Sequence, residues 1–380
     1  MMDYTRYLKR TALAFVALLA LPLGLVLYVD PFQVYHRPFI AGMGLVENQR
    51  FQNAGLINSY LADAEQGYDA VMIGSSVSDN FSSADAATHL GWHKSLRLFF
   101  DGGDPAQLAF MLEQALQRGH VQHVLWEILP RNYSPPHYSP EANLQDREFP
   151  AYLYNRNPFD DLHYLFNADV LALAWRHGVL KQDLPQATPE SLGYWAERPY
   201  AAPQHIDLNR PERIEEERAR YRGAPTLAGT PAAAMGTHSF PVIDFPVIDK
   251  VVLPLLQREC GGEREFVLFI PPVSRLDYLG NPRYVWRSLQ MTRHLLAGIA
   301  NCPNIRLHAF GQLDFTGDLN YYHDKIHYRL AVSHQLLAWM GQGHYRLDLA
   351  NYPDYEAAFI RGIDGYQPHS SYPAELPPLD

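Results

Sequence analysis

Three short stretches carry side chains from which a reaction can be built: Gly74-Ser75-Ser76, Gly102-Gly103-Asp104 and Asp324-Lys325-Ile326-His327. A serine hydroxyl is a weak nucleophile at neutral pH; it needs a base in hydrogen-bond reach and a carboxylate that fixes the tautomer of that base. Ser76, His327 and Asp324 are of the required types, and the Asp-x-x-His spacing lets both side chains turn toward one place. Plainer uses compete. A serine after a strand also caps the next helix, and paired glycines also serve a tight turn with positive φ. His323 and His327 flank Asp324 and would suit a metal ion, but the sequence offers no third strong ligand, so neither a metal nor another cofactor is assigned.

Such groups cooperate only if strand ends gather them. Asp69 to Ile73, Ser95 to Phe100, His123 to Leu129, Glu265 to Ile270 and Asn304 to Phe310 are short apolar runs that read as five strands. Helical spacing appears between them, at Ala106 to Arg118, Val247 to Arg258, Arg283 to Ala300 and Tyr328 to Met340. This alternation predicts an α/β fold, an open, mostly parallel five-stranded sheet with helices on both faces. Ligands of such sheets gather beyond the carboxyl ends of the strands, which is where the Gly-Ser-Ser and Asp-x-x-His stretches fall. Residues 135 to 240, rich in Pro, Tyr, Asn and His, break the rhythm and read as an insertion or lid. Within it Pro211 to Arg222 reads as a solvated charged helix in which Glu216 can pair with Arg220. Tyr133 and Tyr138 are candidates for stacking on sugar rings. The two cysteines, Cys260 and Cys302, each lie just after a helix and just before a strand. A disulfide and two free thiols both fit that placement.

The 380 residues are 47 % hydrophobic and 19 % charged, which excludes disorder as the global state. A net charge of −10 argues against nucleic acid as a partner. Thr11 to Val29 is an uncharged run of nineteen residues preceded by Arg6, Lys9 and Arg10. It predicts a single transmembrane anchor with a cytoplasmic N-terminus and residues 30 to 380 in the periplasm. A cleaved signal peptide is the competing reading; the run lacks a small-x-small cleavage pattern. The expected organisation is a cytoplasmic segment 1–10, anchor 11–29, connector 30–60, an α/β domain 61–345 containing the insertion, and a tail 346–380. The part beyond the anchor holds 28 basic and 40 acidic side chains, and this balance suits a neutral or cationic acceptor better than an anionic polymer.

Three of these blocks together resemble the SGNH (GDSL-like) hydrolase superfamily, and more closely its membrane-anchored extracytoplasmic branch of DltD-like and alginate O-acetylation-like proteins. Ile73-Gly74-Ser75-Ser76 is similar to the nucleophile block, with Ser75 where the wider family has Asp. Gly103-Asp104 is similar to the oxyanion-glycine block, and Asp324-Lys325-Ile326-His327 to the block of carboxylate and base. The usual Gly-x-Asn-Asp is absent after the third strand, where Arg131 and Asn132 stand instead. The resemblance implies Ser76 as nucleophile, His327 as base, Asp324 as its orienter, and Ser76, Gly103 and Asn132 as oxyanion-hole residues, with no cofactor. It implies serine acyl transfer at the bacterial inner membrane, with a membrane-bound O-acyltransferase as donor and an exported or envelope polysaccharide as acceptor. A carbohydrate esterase of the same fold and a non-catalytic glycan-binding subunit of a polysaccharide assembly are the alternatives.

Overall fold

The structure is a computed structural model and describes residues 4–37, 45–46, 48–118, 120–135, 138, 149–155, 157, 159–182, 186–190, 208, 210–222, 244–279 and 281–371. They fall into two compact units, residues 1–66 with 147–192 and residues 67–146 with 193–380.

The second unit is a six-stranded sheet: β1 Ala70–Gly74, β2 Ser95–Phe99, β3 His123–Glu127, β4 Glu265–Ile270, β5 Ile305–Ala309 and β6 Arg346–Leu347. The spatial order is β2-β1-β3-β4-β5-β6. β1 to β5 are parallel, and Ile73 lies opposite both Leu98 and Trp126. Two of the five, β1 and β2, are buried end to end, and β3, β4 and β5 each keep one half-buried residue near their start, the pattern of strands covered on both faces. That is why each appears in the sequence as a continuous apolar run and not as an alternation. All five expected strands are present, and β6 is an addition. It pairs antiparallel with β5, placing Leu347 against Leu307. A two-residue strand carries no periodicity, so only its partner defines it. Beyond it the helix Tyr352–Ile363 buries Tyr355 and Phe359, with Phe359 edge-on to Tyr278. Residues 346–371 are therefore part of this unit and not a tail.

Cys260 ends the helix Leu253–Glu259 before β4, and Cys302 follows the helix Pro282–Ile299 before β5. Because β4 and β5 are neighbours, the two cysteines meet with Cα atoms 4.9 Å apart and form a disulfide. The charged helix spans Pro211–Arg220, and its pairs run at i,i+3: Arg220 meets Glu217, not Glu216.

The first unit contains the N-terminal helix Tyr4–Val29, whose apolar stretch is long enough to cross a membrane. Around its C-terminal end pack the helices Leu162–Leu165 and Ala168–Ala174 and the π turn Trp175–Val179. Asp30, at φ +40°, turns the chain out of the helix by accepting the N–H groups of Val34, Tyr35 and His36. The expected insertion thus divides: residues 147–192 join the N-terminal unit, and the charged helix stays with the sheet. Of the expected insertion or lid, residues 136–137, 139–148, 191–207 and 223–240, with a few further positions, lie outside the described residues.

Candidate active site

The sheet order changes direction between β1 and β3, since the chain leaves β1 toward β2 on one side and then crosses to β3 on the other. Parallel strands diverge there, and the crevice beyond their carboxyl ends is the place such folds use for ligands. Gly74, the last residue of β1, opens onto the turn Ser75–Asn80 at that point. Within Ala70–Ser83 only Ser76 is not buried.

Ser76 Oγ lies 2.9 Å from His327 Nε2, and His327 Nδ1 lies 2.6 Å from Asp324 Oδ2. With Nδ1 protonated, the imidazole donates to Asp324 and accepts from the serine hydroxyl, the arrangement in which Nε2 can take the serine proton. The other Asp324 oxygen accepts the N–H groups of Ile326 (2.9 Å) and His327 (2.8 Å). Burial alone would raise the Asp324 carboxyl; the hydrogen bonds and charge of His327, with the two N–H groups, outweigh it and hold the carboxyl below its ordinary range. The carboxylate therefore stays ionised beside its imidazole. His327 sits 251 positions from Ser76 in sequence, and the sheet brings it and Asp324 to the serine. Among the described residues no three metal-ligating side chains gather, and both ring nitrogens of His327 are already engaged.

Beneath the serine lies a residue that the motif reading passes over. Glu127 ends β3, is 1 % exposed, and accepts from Ser75 N–H at 3.2 Å, from Ser75 Oγ at 2.7 Å and from Ser78 Oγ. Burial raises its carboxyl, against the pull of these donors and of His327. Ser75 and Ser78 are thereby fastened to the neighbouring strand, and the turn between them projects Ser76 outward. From the β2 side, Arg97, 2 % exposed, donates to the carbonyls of Phe81 (2.7 Å) and Asp79 and to the Asp79 carboxylate (3.1 Å). Two buried charges on the strands flanking β1 thus clamp one turn. The signal in the sequence is a charged residue inside an otherwise apolar strand run: Glu127 in HVLWEIL and Arg97 in SLRLFF. A fully buried charge is retained only with partners, and here the partners are the nucleophile's turn.

The other expected residues fare differently. The Gly103 N–H donates to the Phe100 carbonyl at 2.8 Å and closes its own turn, so it is not available as an oxyanion donor. Glycine is needed there because a Cβ would lie 2.8 Å from that carbonyl and 2.9 Å from Leu108 Cδ2. Asn132 lies in the helical turn Pro130–Tyr133 just beyond the end of β3, and its side chain is half-buried. Tyr133 is buried and accepts from Trp126 Nε1 at 3.0 Å, which removes it as a sugar-stacking platform. Tyr138 accepts the Ala106 N–H at 2.9 Å and donates to Asp104.

A cleft of about 400 Å³ opens beyond β3 and β4, lined by Arg131, Asp277, Asn281, Arg283, Tyr284 and Arg287. It reaches the triad through the helical turn Arg275–Tyr278: Ser274 N–H bonds the Lys325 carbonyl at 3.0 Å, and Asp277 lies close enough to feel the charge of Asp324. The charged helix closes the far side of that loop, where Lys325 Nζ is 3.0 Å from Tyr221 Oη and 3.7 Å from Glu217. Compared with protein-family models and with curated proteins, the chain matches none, so the function is read from this geometry.

Proposed function

We propose that the protein is a membrane-anchored serine acyl-transfer enzyme of the SGNH type that moves an O-acyl group, most simply acetyl, onto an exported or envelope polysaccharide. The observation that carries this reading is the unbroken chain Ser76 Oγ, His327 Nε2, His327 Nδ1, Asp324 Oδ2 at the switch point of a parallel sheet. In the reaction His327 takes the Ser76 proton as Oγ attacks an ester carbonyl. The oxyanion is received by the Ser76 N–H and the Asn132 amide, with Gly103 excluded. The imidazolium then protonates the leaving alcohol. An acceptor hydroxyl, deprotonated by the same imidazole, resolves the acyl-enzyme, and the acceptor decides the class: a sugar gives a transferase, water an esterase.

The apolar N-terminal helix, with Arg6, Lys9 and Arg10 before it, supports a catalytic unit tethered on the periplasmic side of the bacterial inner membrane. A tethered enzyme is placed to receive acyl groups from a membrane-bound O-acyltransferase. The arginines of the adjacent cleft favour a substrate with a negative group near the reacting ester, against the neutral or cationic acceptor suggested by overall charge. Hydrolysis of a chromogenic acetate ester, abolished in Ser76→Ala and in His327→Ala with unchanged folding, is the expected result. Full activity in either variant overturns a catalytic reading. Loss of polymer acylation in cells carrying Ser76→Ala separates the transferase from an esterase and from a glycan-binding subunit.

A further inference from the structure

The N-terminal helix is exposed from Tyr4 to Leu21, and burial begins only at Pro22 and Leu23, with Val26 and Val29 fully buried. Its partners over this stretch are the helices Leu162–Leu165 and Ala168–Ala174 and the turn Trp175–Val179, all within the first unit. The approach is close: a Cβ on Gly178 would lie 2.3 Å from Val29 Cγ2. The uncharged run Thr11 to Val29 measures about 28 Å at 1.5 Å per residue, against a hydrocarbon layer of about 30 Å. No residue of it can be spared from the layer. Its last eight residues, about 12 Å of helix, must therefore lie in the far half of the bilayer, and whatever packs on them is carried in too.

Apolar side chains exposed on and beside those packed elements suit such a place, although Asp160, His163 and Asp169 are exposed there as well. Trp175 and Leu180 are each 51 % exposed, Val179 45 %, Leu162 53 % and Phe159 85 %. Arg176 and Lys181, both exposed, border the patch and can reach phosphate groups with their long stems. In water this apolar surface would be costly. Beside a membrane span it is an interfacial belt, the position that Trp favours. On the reading that the N-terminal helix is a membrane anchor, we propose that residues 159–181 form a lipid-immersed seat. In it Trp175, Val179 and Leu180 enter the headgroup and upper acyl region of the leaflet into which the anchor emerges. The occupant of the patch is thus lipid, by continuity with the span it packs on.

The test uses the full chain in vesicles of phosphatidylethanolamine and phosphatidylglycerol, with spin labels on Leu180→Cys, Val179→Cys, Leu18→Cys and Glu65→Cys. The native cysteines are disulfide-bonded and do not compete for label. Positions 179 and 180 are expected to lose most of their collisions with a water-soluble nickel reagent and to gain collisions with oxygen, lying between Leu18 and Glu65. Labels at 179 and 180 that match Glu65 while Leu18 stays in lipid overturn the seat alone. A water-exposed Leu18 overturns the anchor and the seat with it. Labels that are aqueous in pure vesicles but shielded from both reagents in native membranes assign the patch to a protein partner and refute the lipid reading.

Discussion

Replacing Gly74 by alanine tests whether the nucleophile's turn is held by the strand beside it. The added Cβ would sit 2.8 Å from Glu127 Cβ and 2.9 Å from Glu127 Oε2. Carbon atoms prefer about 3.5–4.0 Å, so β1 and β3 must part, or Glu127 must move, by about 0.7 Å or more. Overpacking of this kind costs about 1–3 kcal/mol, which lowers the melting temperature by a few degrees in a domain of this size. The displaced carboxylate is the acceptor for Ser75 and Ser78, so the serine between them shifts relative to His327, from which it now stands 2.9 Å. A misplacement near 1 Å costs on the order of 10²-fold in rate. Thermal unfolding and acetate-ester hydrolysis of Gly74→Ala are thus expected to fall together, by a few degrees and by about 10- to 100-fold. Wild-type melting with wild-type turnover would refute the reasoning, because Glu127 would then not be wedged under the turn.

Asp324→Asn keeps the shape of the triad but withdraws the charge that fixes the imidazole, and should slow ester hydrolysis by about 10³- to 10⁴-fold with little loss of protein. Because the Asp324 carboxyl is held below its ordinary range, its charge stabilises the fold above that range; the wild-type advantage over Asp324→Asn in denaturant melts should shrink as pH falls through it. Glu127 has the opposite sign. Burial raises its carboxyl, so the folded state keeps the proton to higher pH than the unfolded chain does. Melts of the wild type should therefore lose ground against Glu127→Gln as pH rises above the ordinary value of 4.5. Replacing Cys260 and Cys302 together by serine opens a bridge spanning 42 residues and should cost about 4 kcal/mol, read from denaturant midpoints.

The five long strands and the helices between them were legible because a parallel sheet buried on both faces needs unbroken apolar runs, and helices that cover it need periodic ones. Ser76, Asp324 and His327 were legible as types at strand ends. Other features were not. The β6 strand exists only as the partner of β5. The placement of residues 147–192 in the N-terminal unit depends on contacts far apart in sequence, such as Asn58 Nδ2 to the Leu153 carbonyl at 2.9 Å, 95 positions away. Tyr133 looked like an available ring until burial against Trp126 removed it. Gly103 had the right type and position, but whether an N–H is free depends on where its own turn directs it.

By itself, the sequence determined which segments must be buried, which segment is apolar enough to cross a membrane, and which residue types stand at the carboxyl ends of the strands. Those properties follow from composition and period, which are local. Tertiary structure alone decided that His327 reaches Ser76 across 251 positions, that Cys260 finds Cys302, and that Glu127 and Arg97 grip the turn between them. Strand order brings these groups together, and that order is set by long-range packing that no local pattern encodes.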